Sequence, residues 1–309
     1  MNTTYIVFVR ILSVLALVGL GAFARYRGLL DGDMTRRLAR VITTLFYPAL
    51  IYSSLVSRFT LPGLARNWVL PAGTFSLMLL GLGVGLGAAR LITLPTEGQR
   101  RGFRFQCTIN NYVFLPLPLV LMLWGEDGVA RLIFSTVGSE CAVWTLGVLA
   151  LTGHRIHWRT LKHLVSVPMM AIVAAGLSLA AAHWLAPFAW TSVFRHPAVS
   201  EVGSAALSSM DLFGRGTIPC AMLVAGSRMA ELRPAHVWAR LPAVVAAIRL
   251  LLIPALAVGL LLALPLPAEN RNILLVVATM PSAIASVVLS EIYDADSEFA
   301  ASCVLVTHL

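Results

Sequence analysis

Long apolar runs, each close to the length needed to cross a lipid bilayer, follow one another along almost the whole chain and leave only short polar connections. A transmembrane helix needs about 20 mainly apolar residues. Of the 309 residues, 58% are hydrophobic and 12% are charged, whereas about a quarter of the residues in soluble domains are charged. We therefore expect an all-α integral membrane protein, with no soluble domain to carry a separate activity.

Apolar segments between charge clusters predict ten spans, at residues 5–27, 38–57, 67–91, 104–124, 130–151, 164–186, 203–227, 240–263, 271–292 and 297–309. The last segment is too short to cross a bilayer unless the helix continues past Leu309. We interpret the first run as a retained span, because Arg25, Tyr26 and Arg27 follow it instead of a small-residue cleavage site.

Lys and Arg residues are distributed unequally between alternate connections. Fifteen lie on one side: Arg25, Arg27, Arg36, Arg37, Arg40, Arg90, Arg100, Arg101, Arg104, Arg155, Arg159, Lys162, Arg228, Arg233 and Arg240. The other side has six: Arg10, Arg58, Arg66, Arg131, Arg195 and Arg271. The positive-inside rule places the fifteen in the cytoplasm and both termini in the periplasm of a prokaryotic inner membrane.

The net charge of +9 comes from these short basic clusters. They fit lipid headgroups better than nucleic acid, because no recognition motif that combines aromatic and basic residues accompanies them. We therefore expect the lipid bilayer as a partner and no nucleic acid. Cys107, Cys141, Cys220 and Cys303 lie scattered in apolar segments without metal-ligand spacing, so we expect buried side chains, no metal and no cofactor.

Two stretches of the chain resemble each other. "LPTEGQRRGFRFQCTINNYVFLPLPLVLMLWGEDG" begins at Leu94, and "LPLPAENRNILLVVATMPSAIASVVLSEIYDAD" begins 170 residues later at Leu264. In spans 2 and 7, Pro48 and Pro219 differ by 171. Five spans are thus followed by five more, and because five is odd the halves have opposite orientations. This predicts two inverted five-helix repeats, at 1–151 and 164–309, as in many secondary transporters.

Proline interrupts an apolar span in each repeat. Pro116 and Pro118 predict a break in span 4, and Pro281 predicts one in span 9. A break exposes the N-terminus of a half-helix, whose free N–H groups and positive dipole end suit an anion. A simple packing kink is the alternative, since membrane helices tolerate proline. Corresponding breaks in both repeats, with Asn110 and Asn111 beside one of them, favour a binding site.

At these residues the chain resembles the auxin efflux carrier family. "NNYVFLPLPLV" is similar to the family's fourth-span pattern Asn-x-x-Phe-x-Gly-x-Pro, here Asn111, Phe114, Pro116 and Pro118, with proline in place of the glycine. "MPSAIASVVLSEIYDADSEFAAS" resembles the ninth span and "LFGRGTIPCAMLVAGSRMA" the seventh. "SECAVWTLG" resembles a segment in which plant members carry glutamine where Glu140 stands.

The resemblance implies a bile-acid-symporter-like transporter fold with ten transmembrane helices. Helices 1, 2, 6 and 7 would form a scaffold, through which a homodimer can assemble. Helices 3–5 and 8–10 would form a moving core whose crossed, broken helices 4 and 9 bind an organic anion. Family substrates include auxin in plants and dicarboxylates such as malate or malonate in bacteria. Because the plant-type cytoplasmic domain is missing between the halves, we expect a bacterial or archaeal member that does not carry auxin.

The candidate substrate-binding residues come from the interrupted spans and from span 2. They are Asn110, Asn111, Phe114, Pro116, Pro118, Pro281, Ser282, Ser53 and Ser54. The two serines of span 2 face the core according to the resemblance, although serines also commonly pack membrane helices together.

Two ionisable residues lie deep within predicted spans, where charge is expensive and points to function. Glu140 is a candidate for coupling transport to protons, with a structural hydrogen bond as the alternative. Arg249 could pair with Glu140, neutralise substrate, or serve as a structural arginine. Asp211 and Arg215 are spaced i, i+4, so we expect them to pair with each other on one helix.

The sequence thus favours a secondary transporter that moves a small mono- or dicarboxylate, by an elevator-type mechanism. A sodium-coupled organic-anion symporter and a non-transporting membrane receptor remain alternatives. We do not expect an enzyme, because the motifs of intramembrane proteases and of nucleotide-binding loops are both missing from the sequence.

Overall fold

The computed structural model describes residues 3–153, 166–185, 197–231 and 240–308. Nearly all of this part is helical: α1 Thr3–Tyr26, α2 Gly32–Arg58, α3 Leu61–Leu91, α4 Glu97–Thr108, α5 Pro116–Thr152, α6 Val167–Leu185, α7 Pro197–Arg215, α8 Thr217–Glu231, α9 Arg240–Ala263, α10 Ala268–Thr279, α11 Ser286–Ile292 and α12 Ser297–His308. Of these helices, α2, α3, α5, α6 and α9 are long and apolar enough to cross a membrane. The chain is therefore an all-helical integral membrane protein.

Some expectations concern residues outside these ranges. The basic connection with Arg155, Arg159 and Lys162, the start of the second repeat at 164, Arg195, Arg233 and Leu309 are among them. Of the four cysteines, Cys107 and Cys303 are buried as expected, Cys141 and Cys220 are half-buried, and all are free thiols.

Two predicted segment boundaries are wrong. Predicted span 7 consists of two helices, α7 and α8, which meet at Gly216; its N–H bonds to the carbonyl of Phe213, and this tighter turn ends α7. The basic connection at 36–40 belongs to α2, which begins at Gly32. Asp31 caps this helix by accepting a hydrogen bond from the N–H of Met34 at 2.7 Å, and satisfying a free N–H in this way favours an early start.

Spans 4 and 9 are both interrupted, span 9 around Pro281 as predicted and span 4 before its prolines instead of at them. Helix α4 ends at Thr108 and α5 begins at Pro116, so this proline starts the second segment instead of ending the first. A proline in the first turn has no N–H that the helix requires. Helix α10 ends at Thr279 and α11 begins at Ser286. We call residues 109–115 the first interruption and residues 280–285 the second interruption.

A sharp turn at Gly125 divides α5 into a short segment after the first interruption and a long segment that ends at Thr152. Gly125 has φ 63° and ψ −157°, a conformation that glycine adopts without the steric penalty of a Cβ atom. The two acidic residues Glu126 and Asp127 follow directly. The turn therefore presents two carboxylates between the predicted spans 4 and 5.

The helices pack as two groups. Helices α1, α2, α6, α7 and α8 form one group, in which α1 packs on α8 and α2 packs on α6 and α7. Helices α3, α4, α5, α9, α10, α11 and α12 form the other, in which α3 packs on α4 and α5, and α12 packs on α9 and α11. The groups meet mainly where α2 and α1 contact α5, and both interruptions lie in the second group.

Candidate functional site

The two interruptions contact each other through their main chains. Asn110 and Ser282 form an antiparallel bridge. The N–H of Asn111 donates to the carbonyl of Pro281 at 2.8 Å, and the N–H of Ala283 donates to that of Ile109 at 3.3 Å. Backbone polar groups cannot be left unpaired at membrane depth. Each interruption thus supplies one carbonyl acceptor for an N–H group of the other.

Asn110 ties the two interrupted helices together. Its side chain is 1% exposed, and its amide nitrogen donates a hydrogen bond to the carbonyl of Val277 in the last turn of α10. Its side-chain oxygen is buried and has no hydrogen-bond partner among the described residues. Asn110 therefore has a structural contact and one buried acceptor left for a donor.

Asn111 caps the segment that leads into α5. Its side-chain oxygen accepts hydrogen bonds from the N–H groups of Phe114 at 3.2 Å and Leu115 at 3.4 Å. Its amide nitrogen lies 3.4 Å from Nε2 of His308 in the last turn of α12. The acceptor of Asn111 therefore satisfies the start of the half-helix, while its donor points toward the neighbouring helix α12.

The other residues predicted in the first interruption have different surroundings. Pro116 and Pro118 are buried in the first turn of α5. Phe114 is half-buried and packs against the cluster of Val18, Ala221 and Met222, on α1 and α8. The Phe114 ring thus lies at the contact between the two helix groups.

Ser282 is fully buried in the second interruption and has two partners. Its N–H donates to Oγ1 of Thr307 at 3.3 Å, and its hydroxyl donates to the carbonyl of Gln106 at 3.4 Å. The Gln106 amide donates to the hydroxyl of Ser286 at 2.9 Å. Sequence reasoning missed Gln106, Thr307 and His308. Of these three, only Gln106 left a signal in the sequence, because a glutamine is unusual within an apolar span.

Arg249 does not pair with Glu140, contrary to one of the expectations. No ion pair in the described part of the chain joins the two residues. Arg249 is 2% exposed, and its guanidinium donates to the carbonyls of Met280 at 3.0 Å and Cys107 at 3.1 Å. These carbonyls lie at the C-terminal ends of α10 and α4, where the helix dipole concentrates negative charge. Arg249 thus neutralises both ends.

Glu140 contacts the first interruption through one side chain. The residue is 9% exposed, and its Oε1 accepts a hydrogen bond from the hydroxyl of Tyr112 at 3.0 Å. Tyr112 is the residue next to Asn111. A change in the protonation of Glu140 would therefore alter a hydrogen bond inside the interruption itself.

A cavity of about 320 Å³ lies between the two helix groups, beside the second interruption. We call it the basic cavity. Its charged lining residues are Arg36 of α2, Arg228 of α8 and Glu291 of α11. Ile284 of the second interruption and Val304 of α12 also line it; the carbonyl of Val304 bonds to the ring of His308 at 2.8 Å. The basic cavity thus extends from two arginines and a glutamate to Ile284 of the second interruption.

Ser53 and Ser54 are not brought to the interruptions. They line a second cavity, of about 270 Å³, together with Ser204 and Ser208 of α7. We call it the serine cavity. Its serines come from α2 and α7, which pack on each other, so these hydroxyls face a neighbouring helix of their own group.

Two ion pairs lie at the serine cavity and join the helix groups. Arg215 bonds across the groups to Glu126 at 2.7 Å. It also bonds to Asp211 of its own helix at 2.8 Å, as the i, i+4 spacing predicts. Arg58 bonds to Asp127 at 2.9 Å. Both arginines belong to the first group, on α7 and α2, whereas both carboxylates follow Gly125 in the second group.

A bundle of membrane-length helices, with two interrupted helices that meet at a buried polar centre, is the architecture of a membrane transport protein. Comparison with known proteins agrees, since the profile of the family described as membrane transport protein matches residues 6–309. The chain belongs to this family, that of the auxin efflux carriers.

Two archaeal relatives match almost the whole chain. An uncharacterized transporter of Methanocaldococcus jannaschii is 25% identical over 302 residues, which cover 96% of this chain and 92% of the relative. An uncharacterized transporter of Methanothermobacter thermautotrophicus is 26% identical over 299 residues, with the same coverage of 96% and 92%.

Proposed function

We propose that this protein is a secondary transporter that moves a small organic anion, a mono- or dicarboxylate, across a prokaryotic inner membrane. The observation that carries the proposal is the contact between the two interruptions at Asn110 and Ser282, beside a basic cavity that opens between the helix groups. Interrupted helices near the middle of the membrane are the usual place for substrate in secondary transporters.

The charges around the interruptions favour an anion. Arg249 neutralises the carbonyl ends of α4 and α10, which would otherwise repel a carboxylate. Arg36 and Arg228 line the basic cavity together with Glu291; Arg36 also pairs with Asp33, so the cavity offers guanidinium groups to an anion without a strong net charge. The amide donor of Asn111 and the ring of His308 are the polar groups that a carboxylate would meet at the interruptions.

Inverted repeats would explain how two interruptions come together. Helices α4 and α10 are each 12 residues long and begin 171 positions apart, at Glu97 and Ala268. The segments after the breaks begin 170 positions apart, at Pro116 and Ser286. The interruptions pair in antiparallel directions. These regularities support ten helices in two inverted five-helix repeats, with crossed helices 4 and 9.

The two packing groups support an elevator-type movement. Helices α1, α2, α6, α7 and α8 correspond to the predicted scaffold, which is also the proposed homodimer surface, and the other helices correspond to the moving core. The basic cavity lies between the groups near Arg36, and the ion pairs of Arg58 and Arg215 join the groups near the serine cavity. In the proposed cycle, the core carries the anion at the interruptions while the ion pairs on one side break and re-form.

Counterflow in proteoliposomes tests the proposal. Vesicles containing the purified protein are loaded with unlabelled malate, malonate or lactate and diluted into the same labelled compound. We expect transient accumulation of label for at least one of the three, and its loss in Asn111→Ala. Asn67→Ala is the matched control, since Asn67 bonds to the carbonyl of Gly63 within α3, outside both interruptions.

Other outcomes would point to the alternatives. Accumulation that requires an inward sodium gradient, and is lost when potassium replaces sodium, would indicate a sodium-coupled symporter. If a carboxylate raises the thermal stability of the purified protein, it binds the native state. Such binding without counterflow would overturn the transporter proposal in favour of a receptor.

A further inference from the structure

A third cavity lies outside both the interruptions and the two cavities described above. It has a volume of about 520 Å³ and is lined by the end of α3, the connection that follows and the beginning of α4. Three arginines line it, Arg90, Arg100 and Arg104. All three belong to the connection between spans 3 and 4, which the positive-inside rule places at the cytoplasmic surface. We call it the arginine cavity.

The positive charge of the arginine cavity is poorly compensated by the protein. Within the described ranges, neither Arg90 nor Arg104 takes part in an ion pair, and Arg100 lies 3.8 Å from Glu97 in an exposed pair. The Nε of Arg104 is buried and has no hydrogen-bond partner among the described residues. Three guanidinium groups around one cavity repel each other, and a bound anion with several oxygens would remove this repulsion and accept from the unpaired donors.

Close packing holds the arginine cavity in shape. Gly85 of α3 faces α4 so closely that a Cβ atom added to it would lie 2.9 Å from Cβ of Cys107 and 3.6 Å from Cα of Arg104. The two helices thus approach each other directly beside Arg104. Packing therefore fixes the backbone at this arginine, so the protein loses less conformational entropy when a ligand binds there.

The remaining wall of the arginine cavity is apolar. Leu86, Ala89 and Ile92 contribute to it, and Leu86 is 39% exposed while the adjacent Leu91 is 88% exposed. These residues lie at the end of α3, a helix long enough to cross the membrane. A ligand that is anionic at one end and apolar at the other matches this combination better than a free ion does.

We propose that the arginine cavity binds the phosphate-bearing headgroup of an anionic phospholipid of the cytoplasmic leaflet, with the acyl chains along Leu86 and Leu91. Basic pockets between transmembrane helices on the cytoplasmic side suit such headgroups. The ligand touches α3 and α4, which belong to the same helix group as the interruptions.

Native mass spectrometry of the purified full-length protein tests this proposal. The protein in detergent is titrated with dioleoyl phosphatidylglycerol, and retained lipid is counted. The variant Arg90→Gln/Arg104→Gln is compared with Arg37→Gln/Arg40→Gln, which removes equal charge from exposed positions of α2 on the same predicted side. We expect about 30-fold weaker retention in the first variant, from the contribution of two arginines to the attraction of an anionic headgroup, and near wild-type retention in the second.

Further arms distinguish the ligand sources and guard against misfolding. Dioleoyl phosphatidylcholine should show no preference for wild type over the variant, and inorganic phosphate at equal ionic strength should not raise the melting temperature. Protection by inorganic phosphate alone would overturn the lipid assignment. Arg90→Lys/Arg104→Lys keeps both positive charges. This variant should therefore retain most of the phosphatidylglycerol, even if the glutamine variant is poorly folded. Equal retention of phosphatidylglycerol by wild type and all variants would overturn the site.

Discussion

The main-chain N–H of Asn111 donates a hydrogen bond to the carbonyl of Pro281 at 2.8 Å. The two residues are 170 positions apart, and this is also the offset between the similar stretches that begin at Leu94 and Leu264. Equivalent positions of two halves related by a two-fold axis can touch only near that axis. The proposed inverted repeat therefore places both interruptions at its axis, where a substrate can be reached from either side in turn.

Replacing Asn111 with alanine removes both the acceptor for the N–H groups of Phe114 and Leu115 and the amide donor next to His308. We expect anion binding to weaken by roughly 1–3 kcal/mol, the cost of leaving a buried polar partner unmatched. Asn111→Asp keeps an acceptor for the N–H groups of Phe114 and Leu115 but loses the donor and adds negative charge. It should therefore also bind the anion weakly, with a melting temperature close to that of wild type. Calorimetric titration and thermal unfolding measure the two effects.

Asn110→Ala is the comparison for this prediction. It removes the hydrogen bond to Val277, so we expect a lower melting temperature and a smaller effect on binding than in Asn111→Ala. Equal and small effects of both alanine variants on binding would show that Asn111 does not contact the anion.

Glu140→Gln should keep substrate binding but flatten the pH dependence of transport. If Glu140 exchanges a proton during the cycle, carboxylate uptake in wild type should fall as the pH rises and protons become scarce, whereas a glutamine cannot titrate. Uptake into proteoliposomes between about pH 5.5 and about pH 8 tests this. Tyr112→Phe, which removes the hydrogen bond to Glu140, should shift the profile without flattening it. Parallel profiles for wild type and Glu140→Gln would exclude Glu140 from coupling.

Arg249→Met should destabilise the protein strongly. The variant leaves the carbonyls of Cys107 and Met280 without their donor, and each buried unsatisfied group costs about 1–3 kcal/mol. Arg249→Lys keeps the charge and should recover part of this loss. Thermal unfolding in detergent measures the difference. A methionine variant that is as stable as wild type but no longer binds the anion would instead assign Arg249 to substrate neutralisation.

Cross-linking across the ion pair of Arg58 and Asp127 should block transport. In a background in which the four native cysteines are replaced, Arg58→Cys/Asp127→Cys is joined by a short, reducible thiol cross-linker, which ties α2 to the turn after Gly125. We expect counterflow to stop and to return on reduction, because the proposed movement requires the groups to separate. Transport that continues after complete cross-linking would contradict the elevator proposal.

The pair of Arg131 and Glu269 supplies the control for this experiment. It joins α5 to α10 within the second helix group. Cross-linking of Arg131→Cys/Glu269→Cys should therefore leave counterflow intact. The removal of the exposed Arg58–Asp127 pair itself should change the free energy of unfolding by no more than about 1 kcal/mol.

Labelling of single cysteines in whole cells tests the predicted orientation. In the cysteine-free background, Arg58→Cys should react with a membrane-impermeant maleimide added from outside, whereas Arg36→Cys should react only after the cells are opened. The expectation follows from the distribution of fifteen Lys and Arg residues against six between alternate connections. Labelling of position 36 in intact cells would reverse the assignment of both sides.

The sequence by itself determined the class of protein and the local features of the chain. Hydropathy predicted membrane-spanning segments, and among the described residues five of the helices are long and apolar enough to cross a membrane; such a segment must satisfy its own backbone in lipid. The prolines at 116 and 281 indicated that two spans are interrupted, and the spacing of Asp211 and Arg215 predicted their ion pair. These properties depend on neighbours within a few positions, so a single sequence reveals them.

Only the tertiary structure decided which polar groups meet. It joined Asn111 to Pro281 and His308, gave Arg249 two helix ends instead of Glu140, and placed Ser53 in a cavity away from the interruptions. Lipid tails are as apolar as leucine, so the pattern of apolar residues does not tell which face of a membrane helix meets lipid and which meets protein. Helix pairing in this chain therefore depends on close packing and buried hydrogen bonds between residues on different helices, from 31 positions apart for Arg249 and Met280 to 197 for Asn111 and His308, and local sequence patterns carry no signal for those.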